Sequence, residues 1–354
     1  MAADMSFAAQ MVRWQKSHGR SHLPWQQTRD PYRVWLSEVM LQQTQVSTVL
    51  DYYARFLARF PNVAALAEAS EDEVLALWSG LGYYSRARNL HRCAQQVMAL
   101  HGGVFPVTAA VLQSLPGIGR STAGAIAAFC FSERVPILDA NVRRVLTRSL
   151  GFGADLSVVA NERTLWDRAT ELLPSSDLAE AMPRYTQGLM DLGAMVCLAR
   201  KPLCAQCPVQ SQCMARQEGT PENYPVKTRK LIRKSESWWL LLLRDAAGRV
   251  QLHRRPSTGI WPGLHCLPMY TARGDVPVGY ALQDNARIKE LPSFLHVLTH
   301  RDLYLHPVVV EAETEVEVDA LAPFHHDGAW FSREEWAALG LPAPIRKLLE
   351  SVGE

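Results

Sequence analysis

From residue 6 to about 200, apolar residues recur every three or four positions with few alternating stretches, the period of helices packed on one another. Asp30 reads as an N-cap and Pro31 as a first helical residue, and the pattern from Val34 through Leu50 runs on without glycine or proline. Further helices are predicted over Glu71 to Ser79, Tyr84 to Leu100, Ala109 to Ser114, Thr122 to Phe131, Val142 to Ser149 and Leu178 to Val196. The period is then lost: Pro225 to Lys234 holds five basic residues in ten and reads as a linker. Beyond it, Trp238 to Leu243 and Arg249 to His253 read as strands about a turn at Asp245 to Gly248, and Val297 to Val310 reads as extended chain. The pattern predicts a mainly α domain over 1–225, a basic linker over 226–235 and a smaller α+β domain over 236–354.

A chain of 354 residues at 48% apolar content has enough material for two cores. Its net charge of +2 hides an asymmetry, with 26 Lys and Arg against 19 Asp and Glu up to residue 235 and 11 against 16 after it. A basic domain tethered to an acidic one suits a nucleic-acid reader with an accessory module, although solubility alone produces such splits. The first twenty residues mix Asp4, Arg13, Lys16 and Arg20 with no long apolar run, and no segment is long enough to span a bilayer. A cytoplasmic protein without a membrane partner is expected, nucleoid-associated in a bacterium.

Of seven cysteines, Cys197, Cys204, Cys207 and Cys213 fall within seventeen residues with the spacing C-x6-C-x2-C-x5-C. In a reducing compartment such crowding points to metal before disulfides, and the spacing admits either zinc, the commoner use, or a [4Fe-4S] cluster. Upstream, Leu115-Pro116-Gly117-Ile118-Gly119-Arg120-Ser121-Thr122-Ala123 forms a Gly-rich turn between two helical patterns. Gly117 and Gly119 leave backbone N–H groups uncovered ahead of a helix N-terminus, a phosphate-docking arrangement if it is more than a helix-helix turn.

Two carboxylates stand out. Glu38 shares a helical stripe with Trp35, Leu41, Gln42 and Gln45, and an acid desolvated beside Trp35 and Leu41 holds its proton near neutrality, unlike a merely solvated Glu. Asp139 precedes the helical pattern from Val142; N-capping is its ordinary explanation and also a way to keep it ionised. A protonated Glu with an ionised Asp is the division of labour of glycoside cleavage.

Ser37 to Val46, Gly80 to Asn89, the hairpin, Leu138-Asp139-Ala140-Asn141 and the four cysteines, in that order, resemble the MutY adenine DNA glycosylases over residues 6 to 225, and more weakly beyond. The resemblance implies a helix-hairpin-helix glycosylase domain of the endonuclease III-like superfamily, with a [4Fe-4S] loop at 197–213 in place of zinc, followed by a Nudix-like lesion-recognition domain. It implies excision of adenine paired with 8-oxoguanine or guanine in double-stranded DNA after base flipping. Glu38 then protonates adenine, Asp139 stabilises the cationic sugar and Asn141 lies near it. Gln43 and Tyr83 match residues that wedge into the base stack, with Gln42 a further base or DNA contact. Trp25, Leu41, Val46 and Gln187 match the adenine pocket.

Ser121 stands where endonuclease III relatives carry a Schiff-base lysine, so a monofunctional enzyme is implied. Leu298-Thr299-His300 matches the segment, typically Phe-Ser-His, that senses 8-oxoguanine, with Leu298 departing from the usual aromatic; capping of a strand end is the ordinary reading of Thr299 and His300. The metal-binding Glu-rich box of active Nudix hydrolases is missing. A monomer is expected. The alternatives are a non-catalytic iron-sulfur DNA-binding protein, against which both carboxylates stand, and a bifunctional glycosylase-lyase, against which Ser121 stands.

Overall fold

The computed structural model describes residues 6–228, 232–277, 287–311 and 328–352. The chain divides into two compact units, Met1–Glu68 with Asn89–Lys230, and Ala69–Arg88 with Leu231–Glu354.

The first unit is helical. Its elements are α1 (Phe7–His18), α2 (Pro31–Leu41), α3 (Val46–Arg59) and α4 (Val63–Glu68), and, after α5 (Glu71–Trp78) of the second unit, α6 (Ser85–His101) and α7 (Ala109–Leu112). There follow α8 (Arg120–Phe131), α9 (Ala140–Leu150), α10 (Val159–Glu171), α11 (Leu178–Met195) and α12 (Met214–Gln217). Asp30 caps α2 as predicted, its carboxylate accepting the Tyr32 N–H at 2.9 Å with Pro31 in the first helical position. The predicted continuation to Leu50 is broken at 42–45: Gln43 takes φ +57° and Gln45 becomes the N-cap of a new helix, so Gln45 leaves the Glu38 stripe. A left-handed residue ends an α-helix without glycine, and no local sequence signal announces it here.

The core of this unit wraps α11 and α9. Met11, Trp14, Val142, Val145, Leu146, Tyr185, Leu189 and Leu192 are buried together in it. Pro183 lies inside α11 and has no N–H for the Ala179 carbonyl. That oxygen is satisfied instead by Arg29 Nη2 at 3.1 Å and by the Ser132 hydroxyl at 3.3 Å. Gly124 on α8 is what allows Pro136 and Ile137, the segment leading to Asp139, to lie against the helix. A Cβ there would stand 2.6 Å from the Pro136 carbonyl oxygen.

The second unit is a mixed sheet with helices against it. Its strands are β1 (Lys234–Arg244), β2 (Val250–Arg254), β3 (His265–Cys266), β4 (Met269–Tyr270), β5 (Arg287–Glu290), β6 (Phe294–Val297), β7 (Arg301–Glu311) and β8 (Gly328–Phe331). β3, β2, β1, β7 and β5 are adjacent in that order, β4 pairs with β1, β6 with β7 and β8 with β2. β1 and β7 run parallel from Lys234 opposite Arg301 to Arg244 opposite Glu311, and the other pairs are antiparallel. Two helices close the unit, α13 (Arg333–Ala337) and α14 (Ala343–Val352). The extended run foreseen over Val297 to Val310 is interrupted by a turn at 298–300, closed by the Leu298 N–H on the Arg301 carbonyl at 2.8 Å. β1 begins at Lys234, inside the foreseen linker, because its parallel pairing with β7 continues that far.

Residues 69–88, foreseen as part of the helical domain, pack into this second unit. The Tyr84 hydroxyl and the Ser79 hydroxyl both donate to the Leu341 carbonyl, at 2.8 and 3.0 Å. Arg88 donates to the Pro262 carbonyl at 2.7 Å, and Arg254 pairs with Glu71 at 3.1 Å. The destination of the segment is set by these long-range partners, which chain order does not reveal. Among the described residues no helix is long and apolar enough to cross a membrane.

The Gly124 contact gives a direct check of the first unit. Gly124→Ala is expected to cost about 1–3 kcal/mol through overpacking against the 136–137 backbone. Gly153→Ala, whose Cβ meets nothing within 4 Å, is expected to be neutral by comparison. The two denaturant midpoints decide it, and equal midpoints would remove the close approach from the account.

Candidate active site

One cavity of about 1290 Å³ in the first unit is bordered by α2, the 42–45 break, the N-termini of α8 and α9, and α11. That volume exceeds the usual range for small-ligand pockets and has room for a nucleotide with part of its strand. Glu38, Asp139, Asn141 and Ser121 all border it, as do Trp25, Leu41, Val46 and Gln187 and, at the break, Gln42 and Gln43. Ten of the residues singled out from the sequence thus meet at one place, brought there from segments up to 162 positions apart in the chain.

Glu38 sits on the last turn of α2, where buried Trp35 and Val39 flank it. The residue as a whole is half-buried, while its carboxyl lies deep in protein. Burial pushes that carboxyl up to about 8, and the nearby Asp139 charge adds to the push. No hydrogen bond to the Glu38 carboxyl exists among the described residues to offset this.

Asp139 is the N-cap of α9, its Oδ1 accepting the Val142 N–H at 2.6 Å. The backbone N–H groups of Val142 and Asn141, with Arg144 and Arg143, favour its charged form. Burial nevertheless outweighs them and raises the carboxyl above its ordinary value, which corrects the expectation that capping alone keeps it low. The two acids therefore compete for charge in one low-dielectric space, and only Asp139 has donors and cations around it.

The remaining residues are held by identifiable contacts. Ser121 accepts the Leu138 N–H at 3.1 Å, tying the start of α8 to the segment before Asp139. Asn141 Oδ1 accepts from Arg144 Nη2 at 2.9 Å, and Gly193 lets α11 come within a side-chain methyl of Asn141. Trp25 is buried edge-on against Tyr53, with ring centroids 5.3 Å apart. Gln42 Nε2 reaches the Thr122 hydroxyl at 3.4 Å.

Gln187 donates to Asp191, which Arg20 also clamps; sequence reading missed both Asp191 and Arg20. They lie 171 positions apart, and only their pairing marks them.

The hairpin runs from α7 to α8. Gly117 has φ +75°, and a Cβ there would stand 2.6 Å from the Asn89 Cβ, so the turn requires glycine. Gly119 is different: it caps α8, and a Cβ on it would meet nothing within 4 Å. The protein's own packing does not demand a glycine there.

Tyr83, Leu298, Thr299 and His300 belong to the second unit. Tyr83 is exposed, holds φ +49° and has its hydroxyl 2.9 Å from that of Thr299. Leu298, Thr299 and His300 form the β6–β7 turn, with the Leu298 and His300 carbonyls accepting from Arg233 Nη2 and the Lys234 N–H.

Cys197, Cys204, Cys207 and Cys213 border a second, smaller cavity in the first unit, walled by Val145, Leu192 and Val209, and none forms a disulfide. Arg148, buried, donates to the Cys197 sulfur at 3.3 Å and to the Leu198 and Ala199 carbonyls. Among the described residues no three His, Cys, Asp or Glu are arranged to hold a metal ion. The four thiols line one small cavity and offer four thiolate donors of the kind an iron-sulfur cluster takes.

Comparison with known proteins agrees with this geometry. Residues 36–169 match the HhH-GPD superfamily of base excision DNA repair proteins, 197–213 the iron-sulfur binding domain of endonuclease III, and 239–351 a NUDIX domain. The adenine DNA glycosylase of Buchnera aphidicola (subspecies Baizongia pistaciae) is 34% identical over 98% of this chain and 96% of its own length. The human adenine DNA glycosylase is 32% identical over 97% of this chain and 73% of its own length. That of Mycolicibacterium smegmatis is 42% identical over 58% and 68%. Among solved structures, a thermostable thymine-DNA glycosylase superposes on 60% of this chain and 95% of its own, with a TM-score of 0.54 and 27% identity. The chain is thus a DNA-binding enzyme that removes adenine in base-excision repair and carries a [4Fe-4S] cluster. It belongs to the MutY family of adenine DNA glycosylases.

Proposed function

We propose that the enzyme hydrolyses the N-glycosidic bond of an adenine paired with 8-oxoguanine or guanine, after flipping that adenine into the Glu38–Asp139 cavity, and leaves the strand uncut. The observation that carries this reading is the asymmetry of the two carboxyls. Glu38, desolvated and without donors, holds a proton at neutral pH. Asp139, beside two backbone N–H groups and two arginines, is the place where the remaining charge is best stabilised.

In the proposed reaction Glu38 gives its proton to the departing adenine as the C1′–N bond breaks. The Asp139 carboxylate stabilises the positive sugar, water adds at C1′, and the released proton returns to Glu38. Asn141, fixed by Arg144, lies beside the sugar. Trp25, Leu41, Val46 and Gln187 form the walls for the base, and Gln42 is a further contact. A duplex base needs something to fill its place, and the exposed Gln43 and Tyr83 suit that wedge role; both hold left-handed backbone, a conformation that recurs at functional sites. The turn at Gly117 and Gly119 would seat a backbone phosphate against the N-terminus of α8; the open space at Gly119 supports close approach from outside.

Ser121 has no amine for Schiff-base chemistry, and its hydroxyl is committed to the Leu138 N–H, which supports a monofunctional reaction. Leu298, Thr299 and His300 would meet the opposite, damaged base. The cluster, held by Cys197, Cys204, Cys207 and Cys213, would cross-link the 197–213 loop against DNA and perform no redox step. A monomer in the cytoplasm, on the nucleoid in a bacterium, completes the reading.

Glu38→Gln is expected to abolish adenine release from a duplex with adenine opposite 8-oxoguanine, by about 10²-fold or more, while duplex binding survives. Single-turnover cleavage after alkali and a binding titration measure both, and comparable turnover by the variant would rule out the acid role. The same substitution tests the protonation state. The Glu38 carboxyl binds its proton more tightly in the folded protein, at about 8, than at its ordinary value of 4.5. Its contribution is therefore fully present below pH 4.5 and lost as pH rises through 8. The unfolding free energy of Glu38→Gln should accordingly gain on the parent between those limits and level off above, by a few kcal/mol at most, as denaturant titrations across pH would measure. Borohydride treatment of a reacting complex should trap no covalent adduct; a trapped adduct would contradict the monofunctional mechanism.

A further inference from the structure

Asp191 is fully buried on α11, one turn after Gln187, behind the wall of the Glu38–Asp139 cavity. Three donors converge on its carboxylate. Arg20 supplies its backbone N–H to Oδ2 at 3.0 Å and its Nε to Oδ1 at 2.7 Å, and Gln187 supplies Nε2 to Oδ1 at 3.0 Å. Arg20 and Gln187 both border the cavity, whereas Asp191 does not reach it.

A glutamine amide has a donor end and an acceptor end, and in isolation nothing decides which faces a ligand. Here the partner decides. An ionised carboxylate accepts only, so the end of Gln187 that meets Asp191 must be the NH2 group. The other end, Oε1, has no hydrogen bond among the described residues and is the end left for the cavity.

We infer that Asp191, locked by Arg20, is a positioning residue that fixes the polarity of the Gln187 amide, so that the cavity presents an acceptor to the base and selects for one bearing an exocyclic amino group. Adenine carries such a group, a hydrogen-bond donor. A purine without it leaves Oε1 unpaired, and a 6-oxo purine sets an acceptor against an acceptor. The inference rests on the reading that this cavity takes the flipped base.

The test measures single-turnover excision of 2′-deoxyadenosine and of 2′-deoxypurine riboside, which lacks only the amino group, each opposite 8-oxoguanine. The readout is the ratio of the two rates. Because the ratio is taken within one preparation, the fraction of folded protein cancels. Gln187→Leu is expected to lower the ratio about fivefold, the loss of one neutral hydrogen bond. Asp191→Asn has a single oxygen for three donors and frees the Gln187 amide to turn; it should lower the ratio in the same direction. The double variant should match Gln187→Leu alone, since Asp191 acts through Gln187.

Where Asp191→Asn does not fold, Arg20→Gln keeps the carboxylate but releases one clamp, and a smaller shift in the same direction is expected. Equal losses on both substrates in the Asp191 or Arg20 variant, with Gln187→Leu selective, would overturn the positioning role alone. A Gln187→Leu ratio unchanged from the parent would instead remove the base from this wall and with it the reading beneath the inference.

Discussion

Two carboxyls in one buried space cannot both be charged cheaply, and the arrangement of the catalytic unit follows from how that conflict is resolved. Burial raises the cost of ionising both Glu38 and Asp139, and for Glu38 the Asp139 charge adds to it. The fold breaks the symmetry with backbone. α9 begins at Asp139, so its first N–H groups point at that carboxyl, while Glu38 lies at the far end of α2, where no free N–H groups remain. A single proton shared by the pair then has a preferred seat before any substrate arrives.

The same helix that supplies those N–H groups also reaches the cysteine loop. Three residues beyond Asn141, Arg144 donates to its side chain and to the Gly193 and Cys197 carbonyls. Four residues further, Arg148 grips the Cys197 sulfur and the two carbonyls that follow it. The spacing is helical: positions 141, 144 and 148 share one face, and that face is turned toward α11 and the loop that leaves it. Gly193 is needed because any larger residue there would push α11 off Asn141. Cysteine loop and Asp139–Asn141 segment are thus braced by one short element.

Much of this was legible in the chain. Asp30 with Pro31, and Asp139 before an apolar period, announced the helix starts that place both carboxyls, because capping is a local interaction between neighbours in sequence. The cysteine spacing was legible for the same reason. What escaped were features decided by distant partners. Nothing in Gln42 to Gln45 says that a helix stops, since the break is made by Gln43 adopting a left-handed conformation in its tertiary setting. The turn at 298–300 hides within a run of strand-forming residues, and β1 extends into a basic linker because β7 lies beside it. Residues 69–88 carry a clear helix start, a Ser70–Glu73 capping box, yet their side in the fold is chosen by Leu341, Pro262 and Arg254, far along the chain.

Three carboxyls around one cavity show how environment, more than residue type, assigns chemical character. Asp191 has three donors in contact, two of them from Arg20, and in the proposed arrangement it orients its neighbour. Asp139 has backbone donors and more distant arginines, enough to carry charge but in a space that resists it. Glu38 has neither, and burial leaves it protonated at neutral pH. The order of donor count is the order of distance from proton chemistry in the proposed reaction: orienter, electrostatic stabiliser, acid. Exchanging Glu38 and Asp139 in the sequence would not exchange those roles, because the N–H groups that separate them belong to the start of α9 and not to either side chain.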